Sequence, residues 1–332
     1  MIMYITIAEL PEAAQSDIRH RWSKFQLCNN EIAVWYCVIS KYYIRHLVVF
    51  VSRCKVIRLQ LPIMKLHITV IGLVVLFTVI HQSLAKRRRK PCKFGDKIEY
   101  GHLGKEVKIG GGLDAYVSHP NSTNSKGGVI VIQDIYGWEL SNTRAIVDML
   151  MENNFTAILP DAFEGKFAWN RSMSWLSFGS FFEDRPADGV GNVVDACMEY
   201  LSNEYSIDKI AIVGFCWGGR AVHHMMSSRK DLVAGVSCYG LMDAEDEDFG
   251  ILNNSTLFIY GRADRQFNSA RIRGLRKALK SKAKAKYAIR GYKDQPHGFL
   301  HRKLASPDDP HKEQIYAARR KMIQWLDRYL TK

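Results

Sequence analysis

The chain has 332 residues and a formal net charge of +14 at pH 7, with 47% hydrophobic and 24% charged residues. This composition is typical of a folded globular protein and excludes a disordered or collagen-like chain. Most of the basic excess lies in residues 1–90, and the lysine-rich stretch 271–286 contains no aromatic residue. Binding of single-stranded nucleic acid uses aromatic residues beside basic ones, so we expect no nucleic-acid partner.

An apolar run at residues 68–80 dominates the N-terminal part of the chain. Met64 and Lys65 precede it, and Ser83-Leu84-Ala85 follows it. This pattern, at residues 64–85, is typical of a signal peptide, and the run is short for a membrane-spanning helix, which needs about 20 apolar residues. We therefore expect translation to start at Met64, a secreted or endoplasmic-reticulum location, and a doubtful extension at 1–63.

Two alternatives stay open for this segment. Residues 61–81 could form an uncleaved membrane anchor, which would be the only membrane contact that we expect. The whole segment could instead be an artefact of the gene model on a cytosolic enzyme. In each case the basic run 86–91 links it to a domain at 92–332.

From residue 92 onward, short apolar runs alternate with amphipathic segments. The apolar runs predict strands at 128–133, 155–159, 209–213, 234–239 and 256–260, and an alternating pattern predicts another at 285–290. The amphipathic patterns predict helices at 141–153, 190–203, 221–228, 269–282 and 311–329. Such alternation predicts a single α/β domain whose mostly parallel central sheet is covered by helices on both faces.

The sequence Gly214-Phe215-Cys216-Trp217-Gly218-Gly219 joins a predicted strand to a predicted helix. Strand, G-x-C-x-G and helix in this order form the pattern of a nucleophile elbow that has cysteine in place of serine. Gly214 and Gly218 leave room for the sharp turn, and the amide of Trp217 lies at a helix N-terminus, where it can donate to an oxyanion. The alternative is a buried cysteine on a glycine-rich turn.

An acid and a histidine follow the elbow in the order that such a site requires. Asp264 comes just after the predicted strand 256–260, and His297 lies in the loop after the predicted strand 285–290. Because open α/β sheets assemble their sites at the carboxyl ends of the strands, Cys216, Asp264 and His297 predict a catalytic triad. Taken singly, Asp264 could be a turn residue and His297 a solvated loop residue.

Three motifs together resemble the dienelactone hydrolase family: Gly214–Gly219, Gln133–Trp138 and His297–Arg302. The resemblance implies an α/β-hydrolase fold and an esterase or lactonase that needs no metal or organic cofactor. It implies small ester or lactone substrates, anionic ones among them.

The resemblance also implies a role for each matched position. Cys216 would be the nucleophile, His297 the general base and acid, and Asp264 the residue that orients His297. The backbone amides of Ile135 and Trp217 would form the oxyanion hole.

Two supporting residues, Asp134 and Arg302, follow from the same resemblance. Bacterial members have glutamate at the position of Asp134, near the resting thiol, so this side chain is one methylene shorter. Its alternative is a strand-end carboxylate that caps a turn. Bacterial members bind the substrate carboxylate with arginines, and Arg302 is a candidate by position, although it is offset within its motif.

A different class of function remains open. The chain could keep the fold yet act as a catalytically inactive binding or interaction protein, secreted or membrane-tethered. The polar residues Arg265 and Gln266 after Asp264 leave room for it. Of seven cysteines, four follow residue 91, and setting Cys216 aside leaves an odd number, so no disulfide framework is implied. The sequence indicates no oligomeric state.

Overall fold

A computed structural model of the chain contains two compact units, residues 1–88 and 89–332. The structure describes residues 34–35, 47–51, 55–59 and 100–331, except 122–124, 171 and 304–308. The predicted signal segment 64–85 and the basic linker 86–91 lie outside the described residues and stay predictions. Within the described ranges, no helix is both long and apolar enough to cross a membrane.

The first unit contains a three-stranded antiparallel sheet. Its strands are β1 (Val34–Trp35), β2 (Leu47–Val51) and β3 (Lys55–Leu59), with β2 in the centre. The sequence of β2, LVVFV, is rich in the β-branched and aromatic residues that favour strands.

The second unit is built on an eight-stranded sheet. Its strands are β4 (Lys105–Ile109), β5 (Leu113–Ser118), β6 (Gly128–Ile132), β7 (Thr156–Pro160), β8 (Ile210–Phe215), β9 (Ala234–Cys238), β10 (Ser255–Gly261) and β11 (Tyr287–Tyr292). The spatial order is β11-β10-β9-β8-β6-β7-β5-β4, and β6 to β11 run parallel. The strands predicted from 128 to 290 are all present, and the prediction of a mostly parallel sheet is confirmed.

The antiparallel strands β4 and β5 were not predicted from the sequence. They pair with each other, and β5 also pairs antiparallel with β7, so β4 lies at the edge of the sheet. Three of the five residues of β4 are exposed, and its polar sequence, KEVKI, lacks the continuous apolar run of a central parallel strand. An edge hairpin of this kind therefore gives a weak sequence signal.

The described helices are α1 (Ser141–Glu152), α2 (Phe178–Glu183), α3 (Gly191–Tyr205), α4 (Trp217–Ser228), α5 (Ser269–Lys282), α6 (Phe299–Arg302) and α7 (Lys312–Leu330). Helices cover both faces of the sheet. The bounds of α5 are those predicted from the sequence. The Asn268 side chain accepts hydrogen bonds from the amides of Ala270 and Arg271 at 3.0 Å, and this N-cap fixes the start of the helix. The helices α2 and α6 are too short for a periodic signal.

The centre of the sheet explains where a site can form. Every residue of β6, β7, β8 and β9 is buried, as expected for parallel strands covered on both faces. The carboxyl ends of the parallel strands meet at one edge of the sheet. The segments after β6, β8, β9, β10 and β11 therefore converge there, and they carry the residues singled out from the sequence.

Candidate active site

Cys216 lies at the junction of β8 and α4 in a strained backbone conformation. Its φ and ψ angles are 55° and −110°, a region that residues other than glycine rarely occupy. Its N–H donates to the carbonyl oxygen of Cys238 at 2.9 Å, and its carbonyl accepts from the amide of Arg220 at 3.1 Å. These two bonds hold the strained turn in place, and the thiol is half-buried.

Two glycines of the elbow leave no space for a side chain. A β-carbon at Gly214 would overlap the carbonyl of Gly218, and one at Gly218 would overlap the carbonyl oxygens of Ile132 and Gln133. The expectation that these glycines leave room for the sharp turn is confirmed. The start of α4 therefore lies directly against the end of β6, which brings the amide of Trp217 beside the turn that follows β6.

Asp264 and His297 form a hydrogen-bonded pair at the same edge of the sheet. Oδ2 of Asp264 lies 2.7 Å from Nδ1 of His297, and the carboxylate is buried. Oδ1 of Asp264 accepts from the amide of Gln266 at 2.8 Å. Because an ionised carboxylate only accepts, Nδ1 of His297 carries the proton and Nε2 is the basic nitrogen.

The end of β9 links this pair to the elbow. The carbonyl of Cys238 accepts the amide proton of Cys216, and the next residue is Tyr239. The ring centroid of Tyr239 lies 5.1 Å from that of His297. The structure therefore brings Cys216, Asp264 and His297 together at the carboxyl edge of the sheet.

The turn after β6 is fixed at several points. The amide of Gly137 donates to the carbonyl of Asp134 at 3.2 Å, and the amide of Trp169 donates to the carbonyl of Ile135 at 2.7 Å. Oδ1 of Asp134 also accepts from the amide of Tyr136 at 2.8 Å. The peptide groups on both sides of Ile135 are thus restrained, so a donor at this position is preorganised.

Asp134 is fully buried and carries further contacts. Its Oδ2 lies 2.9 Å from Nε2 of His301 and 3.2 Å from Nε of Arg302. Burial by itself raises the pKa of Asp134, but the charge of Arg302 and the hydrogen bond from His301 outweigh burial and leave the pKa below its usual value. Asp134 is therefore an ionised carboxylate inside the protein.

Arg302, a candidate for binding the substrate carboxylate, is also buried. Its side chain pairs with Asp134, and its guanidinium carbon lies 5.3 Å from the centre of the Tyr136 ring. A β-carbon at Gly298 would overlap this guanidinium, and Gly298 has a φ of 79°. The structure thus unites the two supporting residues in one ion pair beneath the turn that contains Ile135.

His301, which the sequence did not single out, contacts residues of the candidate site. It is fully buried, with Nδ1 2.5 Å from the Tyr239 hydroxyl and its ring stacked on Phe215 at 4.4 Å between centroids. The available signal was the second histidine of the motif His297–Arg302, four residues after the first.

The remaining described cysteines differ from Cys216. Cys197 and Cys238 are free and fully buried, and burial raises the pKa of both thiols far above the usual value. Among the residues that the structure describes, no group of three or more His, Cys, Asp or Glu side chains could hold a metal ion.

Comparison with known proteins assigns the family. A sequence model of the dienelactone hydrolase family matches residues 113–330. The chain belongs to this family. It is 41% identical over 240 residues to the carboxymethylenebutenolidase homologue of Homo sapiens and 38% identical over 241 residues to that of Xenopus tropicalis. These matches cover 72% and 73% of the chain, respectively, and 97% of each relative.

A solved structure agrees with this assignment at the level of the fold. The dienelactone hydrolase-like protein of Klebsiella pneumoniae superposes with a TM-score of 0.59 at 23% identity, over 68% of this chain and 99% of that one. The α/β-hydrolase fold is confirmed. As a dienelactone hydrolase, the protein acts on ester or lactone bonds, and the prediction of a carboxylic ester hydrolase is confirmed.

Proposed function

We propose that this dienelactone hydrolase cleaves small esters or lactones with a Cys216, His297 and Asp264 triad, through an acyl-thioester intermediate. The observation that carries the proposal is the 2.7 Å bond from His297 to the buried Asp264, beside an elbow that holds a cysteine at a φ of 55°. A cysteine at that position needs a neighbouring base, because a free thiol is mostly protonated at neutral pH.

The proposed reaction begins with proton transfer from the thiol of Cys216 to Nε2 of His297. The thiolate attacks the carbonyl carbon, and the negative charge moves to the carbonyl oxygen, which the amides of Ile135 and Trp217 stabilise. The carbonyl re-forms as the carbon–oxygen ester bond breaks, and His297 returns the proton to the leaving oxygen. In a lactone, that hydroxyl stays attached to the acyl group.

The second half of the proposed reaction consumes water. His297 takes a proton from a water molecule as that water attacks the thioester, and the same amides stabilise the second oxyanion. Collapse expels the sulfur, which regains the proton from His297, and a carboxylic acid leaves. Asp264 keeps the Nδ1 proton in place throughout, so that Nε2 alternates between base and acid.

The proposed roles of His297 and the two oxyanion donors correspond to rate enhancements of ordinary size. A general base typically supplies about 10²–10⁴-fold of the rate, and one oxyanion donor about 10²–10³-fold. The names of the human and frog relatives support an unsaturated butenolide as the first substrate class to test. That class includes anionic lactones, although Arg302, the candidate for the carboxylate, is paired with Asp134 in this structure.

Turnover by the full-length chain tests the proposal. The substrates are a carboxymethylenebutenolide and a 4-nitrophenyl ester, with Cys216→Ala as the variant and Cys197→Ala as the matched control. We expect Cys216→Ala to lose at least a thousandfold in kcat while the control keeps wild-type activity. Equal turnover in Cys216→Ala would refute the thiol mechanism. A folded but inert wild type would favour the non-catalytic binding protein.

A second experiment tests the intermediate and the base. Rapid quenching with the activated ester, followed by mass spectrometry, should find the acyl group on the peptide that contains Cys216. The His297→Ala variant should react with iodoacetamide near pH 7 at least tenfold more slowly than wild type, because the thiolate fraction falls. Equal alkylation rates would contradict the pairing of Cys216 with His297.

A further inference from the structure

His301 contacts a neighbour of each part of the proposed site. Its ring stacks on Phe215, the residue before the nucleophile, at 4.4 Å and 28° between the rings. Its Nδ1 binds the hydroxyl of Tyr239, whose ring lies against His297. Its Nε2 binds Asp134, the residue before Ile135.

The two hydrogen bonds determine the tautomer of His301. Burial lowers the pKa of His301 to about 4, although Asp134 acts in the opposite direction, so the imidazole is neutral at pH 7. Burial also raises the pKa of Tyr239 well above its usual value, which keeps the hydroxyl protonated. Tyr239 therefore donates to Nδ1, and Nε2–H donates to the carboxylate of Asp134.

The carboxylate of Asp134 connects His301 to the turn after β6 through two hydrogen bonds. One carboxylate oxygen accepts from His301, and the other accepts from the amide of Tyr136 at 2.8 Å. Ile135 lies in the chain between Asp134, which carries this carboxylate, and Tyr136, which donates to it. A rotation of the carboxylate therefore also moves the peptide groups on either side of Ile135. Nε of Arg302 lies 3.2 Å from the same oxygen, so an ion pair holds the carboxylate together with the shorter, 2.9 Å bond from His301.

We infer that His301 is a positioning residue for the hydrolysis proposed above: acting through Asp134, it orients the Ile135 amide toward the developing oxyanion. The inference rests on the proposed function. It predicts that His301 affects only steps that form an oxyanion. Ester cleavage forms one, whereas alkylation of the same thiol by iodoacetamide displaces iodide from a saturated carbon and forms none.

The test compares His301→Gln with His301→Met, two side chains of nearly equal size. The glutamine carboxamide can donate to Asp134 and accept from Tyr239, whereas the methionine thioether cannot donate to Asp134 and is only a weak acceptor for Tyr239. We expect His301→Met to lower kcat for the 4-nitrophenyl ester about tenfold or more, with KM and the iodoacetamide rate within about twofold of wild type. We expect His301→Gln to restore kcat to within about threefold.

Tyr239→Phe is the matched control, because it removes the other hydrogen bond of His301 and keeps the ring against His297. It should retain kcat within about threefold, since the bond from Nε2 to Asp134 is preserved. An unchanged kcat in folded His301→Met would overturn the inference, and so would a parallel fall of kcat and alkylation. A loss in Tyr239→Phe as large as in His301→Met would also overturn it.

Two further measurements separate this inference from its premise. Wild type and Cys216→Ala are assayed in parallel, and equal turnover of the two would refute the proposed function itself. Nitrogen-15 NMR of the wild-type imidazole groups needs neither turnover nor a variant that folds. It should show His301 as the neutral Nε2–H tautomer at pH 7, and an imidazolium or an Nδ1–H tautomer would overturn the inference.

Discussion

Replacement of Gly219 by alanine should disturb the elbow more than the small size of the added methyl group suggests. A β-carbon at this position would lie 2.7 Å from the carbonyl oxygen of Cys238 and 3.0 Å from the amide of Gly240, whereas ordinary contact begins at 3.4 Å. The Cys238 carbonyl must therefore move by about 0.7 Å. That carbonyl accepts the amide proton of Cys216, so the displacement reaches the strained residue directly.

Two opposing contributions determine how much Gly219→Ala changes the free energy of unfolding. Overpacking of this kind costs about 1–3 kcal/mol, and alanine in a helix recovers up to about 1 kcal/mol. The net loss of about 1–2 kcal/mol corresponds to a Tm lower by roughly 2–8 °C for a unit of this size. A shift of 1 Å at a reactive group costs about 10²-fold in rate, so we expect kcat for ester cleavage to fall about ten- to a hundredfold.

The matched control is Gly274→Ala within α5. A β-carbon there meets nothing within 4 Å, and neither Gly219 nor Gly274 has a positive φ. This variant should raise the free energy of unfolding by about 1 kcal/mol and leave kcat unchanged. Calorimetry and the 4-nitrophenyl ester assay measure both variants. A Gly219→Ala protein with wild-type Tm and kcat would refute the reasoning about the elbow.

Three further outcomes are expected. Asp264→Asn should lower kcat at least a hundredfold, because the amide can donate to Nδ1 of His297 and so leave the proton on Nε2; steady-state kinetics checks this. His301 and His223, with pKa values lowered by burial to about 4 and about 3, stay neutral in the folded state while the unfolded chain gains protons below pH 6.5. Stability should therefore fall as the pH is lowered from 6.5 to 4, and urea midpoints should show a smaller loss in His301→Gln. Asn268→Ala should cost about 1 kcal/mol in urea unfolding by removing the N-cap of α5 without changing kcat.

The parallel strands β6 to β10 were predictable because each is a short, largely apolar run, and β11 was predictable from its alternating sequence. The elbow was predictable for a related reason: its glycines are required by contacts between backbone atoms, so the motif itself encodes the geometry. The strand β4 escaped prediction because it is a polar, largely exposed edge strand, and β5 mixes polar with apolar residues, so neither forms a continuous apolar run.

His301 shows a different limit of sequence reasoning. Its role depends on Tyr239 and Asp134, which are 62 and 167 residues away and meet it only in the fold. Nothing in the local sequence distinguishes a buried histidine that binds a carboxylate from a solvated one. The pairing of Asp134 with Arg302 was hidden for the same reason, although both residues had been singled out.

The contrast between the described thiols offers a route to the unknown substrate. Cys197 and Cys238 are buried and stay protonated, whereas Cys216 is half-buried and, in the proposed mechanism, is activated by His297. Any compound that acylates Cys216 will shield it from a thiol-directed probe, and peptide mapping can locate that protection. Competitive labelling could therefore rank whole libraries of esters and lactones in cell extracts, without a chromogenic product and before any metabolite is known.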